Sequence, residues 1–351
     1  MKPTTSTLVG ALKHPAVWIS VAFLGLVVME AYFWVADRTT IPVGVTGSVL
    51  YPVLLAALAY VLVFHRTDHY RNFKAFVTAC CFGVGVVTLF LLSRRPMLFD
   101  AMSNEDGFVE TLSAAALFVG AAAFVAVMVG QLRRRRVLVA VVSGLFAVVL
   151  FVIGMEEISW MQRILGFETT DYFIERNIQN EINLHNFNTG VSEKIFYFGG
   201  FIALILLPYF QKPLTAFLAK LKQEELATLL PAQWLLLPSS VMVGYVGTSV
   251  TKDPTAGIAA LVTAFILFRL AVGSLDAGHF PTFMVYGAFL VLVGVMVYYF
   301  TTYNYASVEG LRSWARKEYL ELIIAVGLMG YAVSTLQQSK ALDAARETAR
   351  A

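Results

Sequence analysis

Charged residues are scarce in this sequence. Of its 351 residues, 14% are charged and 58% are hydrophobic, whereas soluble globular domains are about a quarter charged. The mean hydropathy is +0.71. The formal net charge of +3 is small, which does not favour a protein that binds nucleic acid. This composition predicts an integral membrane protein whose main partner is the lipid bilayer.

Cysteine is also rare, and the familiar catalytic signatures are absent. The two cysteines, Cys80 and Cys81, are neighbours in an apolar run. Adjacent positions on one helix do not readily form a disulfide, and a structural zinc site needs more ligands than these two. The sequence contains no HExxH, CxxC or glycine-rich phosphate-binding motif. We therefore expect no disulfide and no zinc site, and no motif names a reaction.

Long apolar runs dominate the chain. A helix that crosses a membrane needs about 20 mostly apolar residues, because the hydrocarbon core is about 30 Å thick. Alternating strand patterns are absent, so we expect an all-α bundle of about ten transmembrane helices in one domain, 1–351. The first run is expected to be a retained span rather than a signal peptide. The expected spans are 15–36, 47–64, 75–93, 109–130, 137–158, 194–211, 231–249, 256–272, 281–301 and 317–336.

The distribution of lysine and arginine predicts the orientation. With ten spans, most of the 26 basic residues lie at the two termini and in the connections on the same side, with Arg133–Arg136 as the densest run. Basic loops stay in the cytoplasm, so both termini are expected to be cytoplasmic, in a bacterial inner membrane. The connection at about 160–193 is rich in apolar residues, and we expect a re-entrant or interfacial element there. The region from Pro238 to Thr251 is the best candidate for a broken helix.

Carboxylates gather at the ends of three spans that this orientation places on the extracytoplasmic face. Glu110 begins the fourth span, Glu156 and Glu157 end the fifth, and Glu321 begins the tenth. The helix dipole favours acids at an N-terminus, but Glu156 and Glu157 lie at a C-terminal end. Ionisable groups at membrane depth are costly and indicate function. We expect Glu157 and Glu156 to be catalytic and Glu110 and Glu321 to contact substrate; structural pairing is the alternative.

An amide-rich segment, 177–188, follows the fifth span. Side-chain amides suit hydroxyl-rich ligands such as sugars, because they donate and accept without charge, but they also stabilise turns. Glu181 and His185 are four residues apart, which makes them weak candidates for a divalent metal ion. His185 is also a candidate for catalytic proton transfer. The amides expected to bind substrate are Asn177, Gln179, Asn183 and Asn186.

Three further candidates, Trp160, Gln162 and Arg163, lie shortly after the paired glutamates. Arg163 presents a fork of donors that suits a phosphate, and an internal ion pair with Glu157 explains it equally well. Trp160 fits either a substrate contact or the aromatic belt at a membrane surface. Gln162 is assigned to substrate binding together with them.

Two motifs carry a family resemblance. Glu-Glu-Ile-Ser-Trp-x-Gln-Arg begins at Glu156, and Asn-x-Gln-x-Glu-x-Asn-Leu-His-Asn begins at Asn177. These motifs resemble those of a group of uncharacterised bacterial multi-spanning membrane proteins, in which a glycine is expected at the position of Met161. The resemblance is confined to about 155–187. It implies a site there and carries no activity with it.

Three functions are compatible with these features. The first is a membrane-embedded enzyme, a transferase or hydrolase acting on a lipid or a lipid-linked sugar or phosphate, with Glu157 as general base. The second is a secondary transporter or channel, which needs polar groups along a complete path. The third is a scaffold subunit that binds a periplasmic partner. Because the intramembrane acids lie in the outer half, the sequence favours the enzyme and leaves metal dependence and oligomeric state open.

Overall fold

Regular structure in this protein is helical. The computed structural model describes residues 68–104, 107–166, 168–174, 182–183, 187–246 and 254–350. Within these ranges no strand occurs, and eight helical segments are long and apolar enough to cross a membrane. The eight segments are Tyr70–Arg94, Phe108–Arg133, Val137–Glu157, Thr189–Tyr209, Glu224–Val246, Pro254–Asp276, Phe280–Thr302 and Ala315–Leu342. The prediction of an all-α, multi-spanning membrane protein is confirmed.

These eight segments correspond to eight of the ten predicted spans, with ends that differ by several residues. The spans predicted at 15–36 and 47–64 lie outside the described residues, so the count of ten and the cytoplasmic location of both termini stay predictions. The long continuous helices are α1 (Asp68–Arg94), α2 (Phe108–Arg133), α3 (Val137–Glu157), α4 (Thr189–Phe201), α5 (Pro254–Asp276), α6 (Phe280–Thr302) and α7 (Ala315–Arg350).

The most buried of the eight spans is the one in α7. Helix α2 packs against both α7 and α3. Its buried face is rich in alanine, and small residues let helix backbones approach closely in a membrane. A Cβ atom at Gly120 would lie 2.8 Å from Leu150 Cδ1 and 3.4 Å from the Cα of Met329. Farther along, Gln131 donates to the Ser339 hydroxyl at 2.7 Å. Because residue numbers increase together along these two contacts, α7 runs parallel to α2. Helix α3 runs antiparallel to both.

The span that begins with α4 changes helical type before Pro208. A π-helical turn, Ile202–Leu206, leads into the short α-helix Leu207–Tyr209. Proline has no N–H, and its ring clashes with the carbonyl four residues earlier. The wider π turn accommodates the proline, and the chain continues across the membrane without a break.

The segment 224–246 is a broken span, and its non-helical residues, 230–232, lie before Pro238. At Ser240, inside the predicted region, the helix changes from α to 3-10. The segment consists of the 3-10 helices Glu224–Leu229 and Gln233–Leu235, the α-turn Leu236–Ser239 and the 3-10 helix Ser240–Val246. Every residue from 239 to 245 is buried. A Cβ atom at Gly244 would lie 2.8 Å from the Cβ of Met296 in α6. The broken segment is therefore packed inside the bundle.

One end of the bundle is strongly basic. The Arg133–Arg136 run connects α2 to α3, and Arg136 Nε lies 3.0 Å from a carboxylate oxygen of Glu225. The helix Gln211–Lys220 has no buried residue, and its Phe217 side chain is exposed. Such a helix suits a membrane surface. This end corresponds to the face predicted to be cytoplasmic.

An ion pair joins two loops at the opposite end. Asp100, in the short helix Pro96–Met102, accepts hydrogen bonds from the Arg312 backbone N–H at 3.0 Å and from Arg312 Nε at 2.8 Å. Arg312 also donates to Asn104 and lies 4.1 Å over the ring of Trp314. These bonds fix the loop after α1 against the segment that leads into α7.

The predicted re-entrant or interfacial element at about 160–193 is described in part. It contains the 3-10 turn Ser159–Met161 and the short helices Gln162–Leu165 and Asp171–Ile174. Phe173 stacks on Phe187 with ring centroids 5.2 Å apart. Short helices with clustered aromatic side chains suit a membrane surface, while the depth of this element in the membrane stays a prediction.

Candidate functional site

Five partly buried glutamates from three helices lie at the end of the bundle opposite the arginine run. Glu157, the last residue of α3, is the centre of this group. It is partly buried, and four other carboxylates lie near enough to interact with its charge. The acidic cluster comprises Glu110, Glu156, Glu157, Glu318 and Glu321.

The directions of the helices explain why these carboxylates meet. Since α2 and α7 both begin at this end and the antiparallel α3 ends here, their terminal residues come together. Glu110 and Glu318 lie in the first turns of their helices, where the helix dipole favours acids. Glu157 has no such support, and gathering like charges costs free energy. The structure thus brings Glu110, Glu157 and Glu321 together, as their sequence positions suggested, and their roles in chemistry stay predictions.

Two aromatic side chains orient members of the acidic cluster. Tyr197 of α4 donates its hydroxyl proton to Glu321 Oε1 at 2.7 Å. Trp160 donates its indole N–H to Glu156 Oε1 at 2.5 Å. Trp160 therefore has an internal contact, and its predicted contact with substrate remains untested. Both bonds fix carboxylates that lie around Glu157.

The chain makes an unusual turn directly after α3. Ser159, Trp160 and Met161 have φ angles of 46°, 54° and 65°, in the left-handed region that residues other than glycine rarely adopt. Each such residue costs about 1–2 kcal/mol. Strained backbone of this kind concentrates at functional sites. Here the turn carries the Trp160 indole back onto Glu156.

Met161→Gly is expected to stabilise the protein by about 1 kcal/mol, because glycine adopts positive φ without steric cost. The measurement is the thermal unfolding midpoint of the purified protein in detergent, which should rise. The matched control is Met155→Gly within α3, which should lower the midpoint, since glycine in a helix costs about 1 kcal/mol. Equal shifts for the two variants would contradict a left-handed turn at 159–161.

Gln162 and Asn183 are buried in the loop that follows the turn. The Gln162 side-chain oxygen accepts the Ile182 backbone N–H at 2.8 Å, and its amide nitrogen donates to the Thr169 hydroxyl. The Gln162 amide thus holds the loop together. Substrate binding by Gln162 and Asn183 stays a prediction.

The other predicted site residues fall outside the described part of the chain. The backbone of Arg163 belongs to the helix Gln162–Leu165, but its side chain is not among the described atoms. Among the described residues, no group of three His, Cys, Asp or Glu side chains is arranged to hold a metal ion. Metal binding by Glu181 and His185 stays a prediction. The predicted residues outside the described ranges are Asn177, Gln179, Glu181, His185 and Asn186.

A cleft of about 500 Å³ lies beside the acidic cluster. Its walls come from α4, the 3-10 helix Ser240–Val246 and the first turns of α5 and α7. Tyr197 lines the cleft and also donates to Glu321, so the cleft and the acidic cluster share this side chain. A cavity of this size suits a small molecule or part of a lipid.

Sequence inspection did not identify the contribution of α4 to the site. Glu193 accepts hydrogen bonds from Lys317 Nζ, which lies 2.7 Å from both of its carboxylate oxygens. Glu193 and Tyr197 are four residues apart in a largely apolar span, so they lie one helical turn apart on one face. That polar pair is the pattern that would have indicated the site.

Comparisons with protein-family models, with curated proteins and with solved structures found no match. The chemistry of the site is therefore inferred from the residues of this chain. The resemblance based on the motifs that begin at Glu156 and Asn177 stays an expectation.

Proposed function

We propose that this protein is a membrane-embedded enzyme, a transferase or hydrolase, that acts on a lipid or a lipid-linked sugar or phosphate. The proposed location of the reaction is the extracytoplasmic face of a bacterial inner membrane. The observation that supports this function is the convergence of the acidic cluster on Glu157 beside a cleft. Ionisable groups near membrane depth are costly and characteristically functional.

Glu157 is the proposed general base. In both reaction types a hydroxyl group or a water molecule forms a bond to the substrate while the bond to the leaving group breaks. A positioned carboxylate accepts the proton that the attacking group loses, and the leaving group takes up a proton. Glu156 and Glu321, oriented by Trp160 and Tyr197, are proposed to accept hydrogen bonds from substrate hydroxyl groups. The proposed roles of His185 and Arg163 are proton transfer and phosphate binding.

The test is lipid conversion by the purified full chain. The protein is reconstituted into vesicles made from a bacterial inner-membrane lipid extract, and all lipid species are followed by mass spectrometry. We expect at least one lipid to be consumed and a product to appear with the wild type, and neither change with Glu157→Gln. Unchanged lipids in both samples, or the same conversion in both, would contradict the proposal.

The broken segment 224–246 supports a second candidate, a secondary transporter. Transporters bind their substrates at interrupted helices inside the bundle, and Ser240–Val246 is an interior 3-10 helix. Within the described residues, the buried Ser239 hydroxyl has no hydrogen-bond partner. A transporter would use this hydroxyl as a ligand group, whereas the proposed enzyme does not need it.

Ser239→Ala is expected to raise stability by about 1 kcal/mol and to leave lipid conversion unchanged, because it removes a buried hydroxyl that lacks a partner. Thermal unfolding and the conversion assay measure the two effects. Ser240→Ala is the matched control: its hydroxyl donates to the Leu237 carbonyl at 2.7 Å, so its loss should cost about 1 kcal/mol. Loss of lipid conversion in a stably folded Ser239→Ala protein would show that the reaction needs this hydroxyl and would contradict the prediction.

A further inference from the structure

The cleft beside the acidic cluster has a charged end. Its charged lining residues are Glu193 and Lys194, in the first two turns of α4, and Arg316 and Lys317, in the first turn of α7. Three of these four side chains are basic, so the charged residues that line the cleft sum to a positive charge, while the acidic cluster lies behind Tyr197. Arg316 is only 5% exposed and lies 5.9 Å over the ring of Tyr305. Because charges interact more strongly away from water, this end of the cleft suits an anion.

The rest of the cleft is apolar. A chain of hydrophobic side chains continues from the charged end toward the middle of the membrane. From Gly190 to Phe201, α4 rises about 16 Å, which is about half the thickness of the hydrocarbon core. The apolar lining that this part presents includes Phe198, Phe201, Met242, Val243, Ala259 and Leu320.

One side of the cleft is open along α4. Ile195 and Phe198 line the cleft and are 70% and 53% exposed. On a membrane-spanning helix, exposed apolar side chains contact lipid chains. A molecule can therefore enter this cleft sideways from one leaflet of the bilayer.

We infer that the cleft binds a membrane lipid with an anionic headgroup. The headgroup phosphate lies near Lys194 and Arg316, and one acyl chain lies along Phe198, Phe201 and Val243. The apolar walls and the open side select a lipid over a soluble phosphate, because a soluble anion would leave the walls without a partner. Binding of the lipid does not depend on the proposed function. Only the further step, that the bound lipid is the substrate on which the acidic cluster acts, rests on it.

Tyr197 connects the bound lipid to the acidic cluster. Its ring lines the cleft and its hydroxyl donates to Glu321 at 2.7 Å. A headgroup at the charged end is therefore one side chain away from Glu321. The Tyr197 ring lies between the headgroup and the carboxylates and keeps them apart, and Coulomb repulsion falls with distance.

The binding test compares two lipids that differ in headgroup charge. The full chain carrying Glu157→Gln, so that turnover does not consume the ligand, is titrated in nonionic detergent with dioleoyl phosphatidylglycerol or dioleoyl phosphatidylcholine. Native mass spectrometry measures the bound fraction. We expect phosphatidylglycerol to bind at least about fivefold more tightly, since one basic residue at a membrane surface contributes an attraction of that size for an anionic lipid.

Two variants locate the bound lipid in the cleft. Lys194 is exposed, so Lys194→Glu should fold normally and should weaken phosphatidylglycerol binding at least about fivefold with little change for phosphatidylcholine. Ala256→Phe, which adds a ring to the cleft wall, should weaken the binding of both lipids. The matched control is Lys212→Glu, on the exposed helix Gln211–Lys220 at the opposite end, which should change neither. Equal binding of the two lipids, or equal effects of Lys194→Glu and Lys212→Glu, would overturn the inference.

The binding test and the conversion test can give different outcomes, so the lipid site and the proposed enzyme are tested separately. If phosphatidylglycerol binds as expected but the wild type converts no lipid, the lipid site stands and the enzyme proposal falls. The opposite outcome is that Glu157→Gln abolishes a lipid conversion, while Lys194→Glu leaves the binding of both lipids unchanged. The enzyme proposal then stands, and the anionic lipid site is contradicted.

Discussion

Glu157→Gln is expected to lower the rate of lipid conversion at least about 100-fold, because a positioned general base contributes about that factor or more. Glutamine has nearly the same shape as glutamate but cannot accept the proton. The measurement is the rate of product formation in vesicles of bacterial inner-membrane lipid. Glu157→Asp keeps the carboxylate and moves it by one methylene, so it should retain part of the activity.

The same substitution is expected to leave the protein folded and no less stable. The Glu157 carboxylate is repelled by the other four members of the acidic cluster, so removing its charge relieves an unfavourable interaction. Glu225→Gln is the matched control, since Glu225 pairs with Arg136 at the opposite end. It should leave the conversion rate unchanged. If Glu157→Gln keeps full activity, or loses activity only by unfolding, Glu157 is not the base.

Asp100→Ala is expected to destabilise the protein by about 2 kcal/mol. Its carboxylate is largely buried and accepts hydrogen bonds from both the backbone N–H and the guanidinium of Arg312. Removing one partner of a buried pair costs about 3–5 kcal/mol. The Arg312 side chain is 25% exposed, so water replaces part of what is lost, and the expected cost is smaller.

Thermal or denaturant unfolding of the purified protein measures this effect. Asp276→Ala is the matched control, because Asp276 is exposed at the end of α5, and exposed substitutions usually change stability by less than about 0.5 kcal/mol. Asp100→Asn keeps an acceptor for the backbone N–H, so its unfolding midpoint should lie between those of Asp100→Ala and Asp276→Ala. The same unfolding midpoint for Asp100→Ala and Asp276→Ala would show that the two loops are not held by this pair.

Hydropathy predicted the described spans because the length of an apolar run is a strong signal. Each of the eight described spans was expected. The break was expected from Pro238 onward, whereas the non-helical residues lie at 230–232. The π turn Ile202–Leu206 was not expected. Pro208 predicts an irregularity in the helix. Whether the helix kinks or forms a widened turn depends on how α4 packs against its neighbours, and hydropathy carries no information about that packing.

The only part of the candidate site that the sequence predicted is the set of residues at span ends, because the direction of each span determines on which face its ends lie. Glu110, Glu157 and Glu321 stand at span ends that fall on one face once the spans are counted, so their convergence follows from topology. The contact between Tyr197 and Glu321 joins residues that are 124 positions apart, and no local pattern specifies it. The left-handed turn at 159–161 was not predicted, because none of its three residues is a glycine; the only pointer was the glycine that the family resemblance expects at Met161.

Cysteine labelling in intact cells tests most directly whether the acidic cluster lies on one extracytoplasmic face. Cys80 and Cys81 are replaced by alanine, and single cysteines are placed at the exposed positions Met97, Gly190 and Ser313, with Lys220→Cys as the cytoplasmic control. We predict that a membrane-impermeant maleimide labels the first three and not the control. If the first three divide between the two sides, the carboxylates do not form one site, and the enzyme proposal is contradicted.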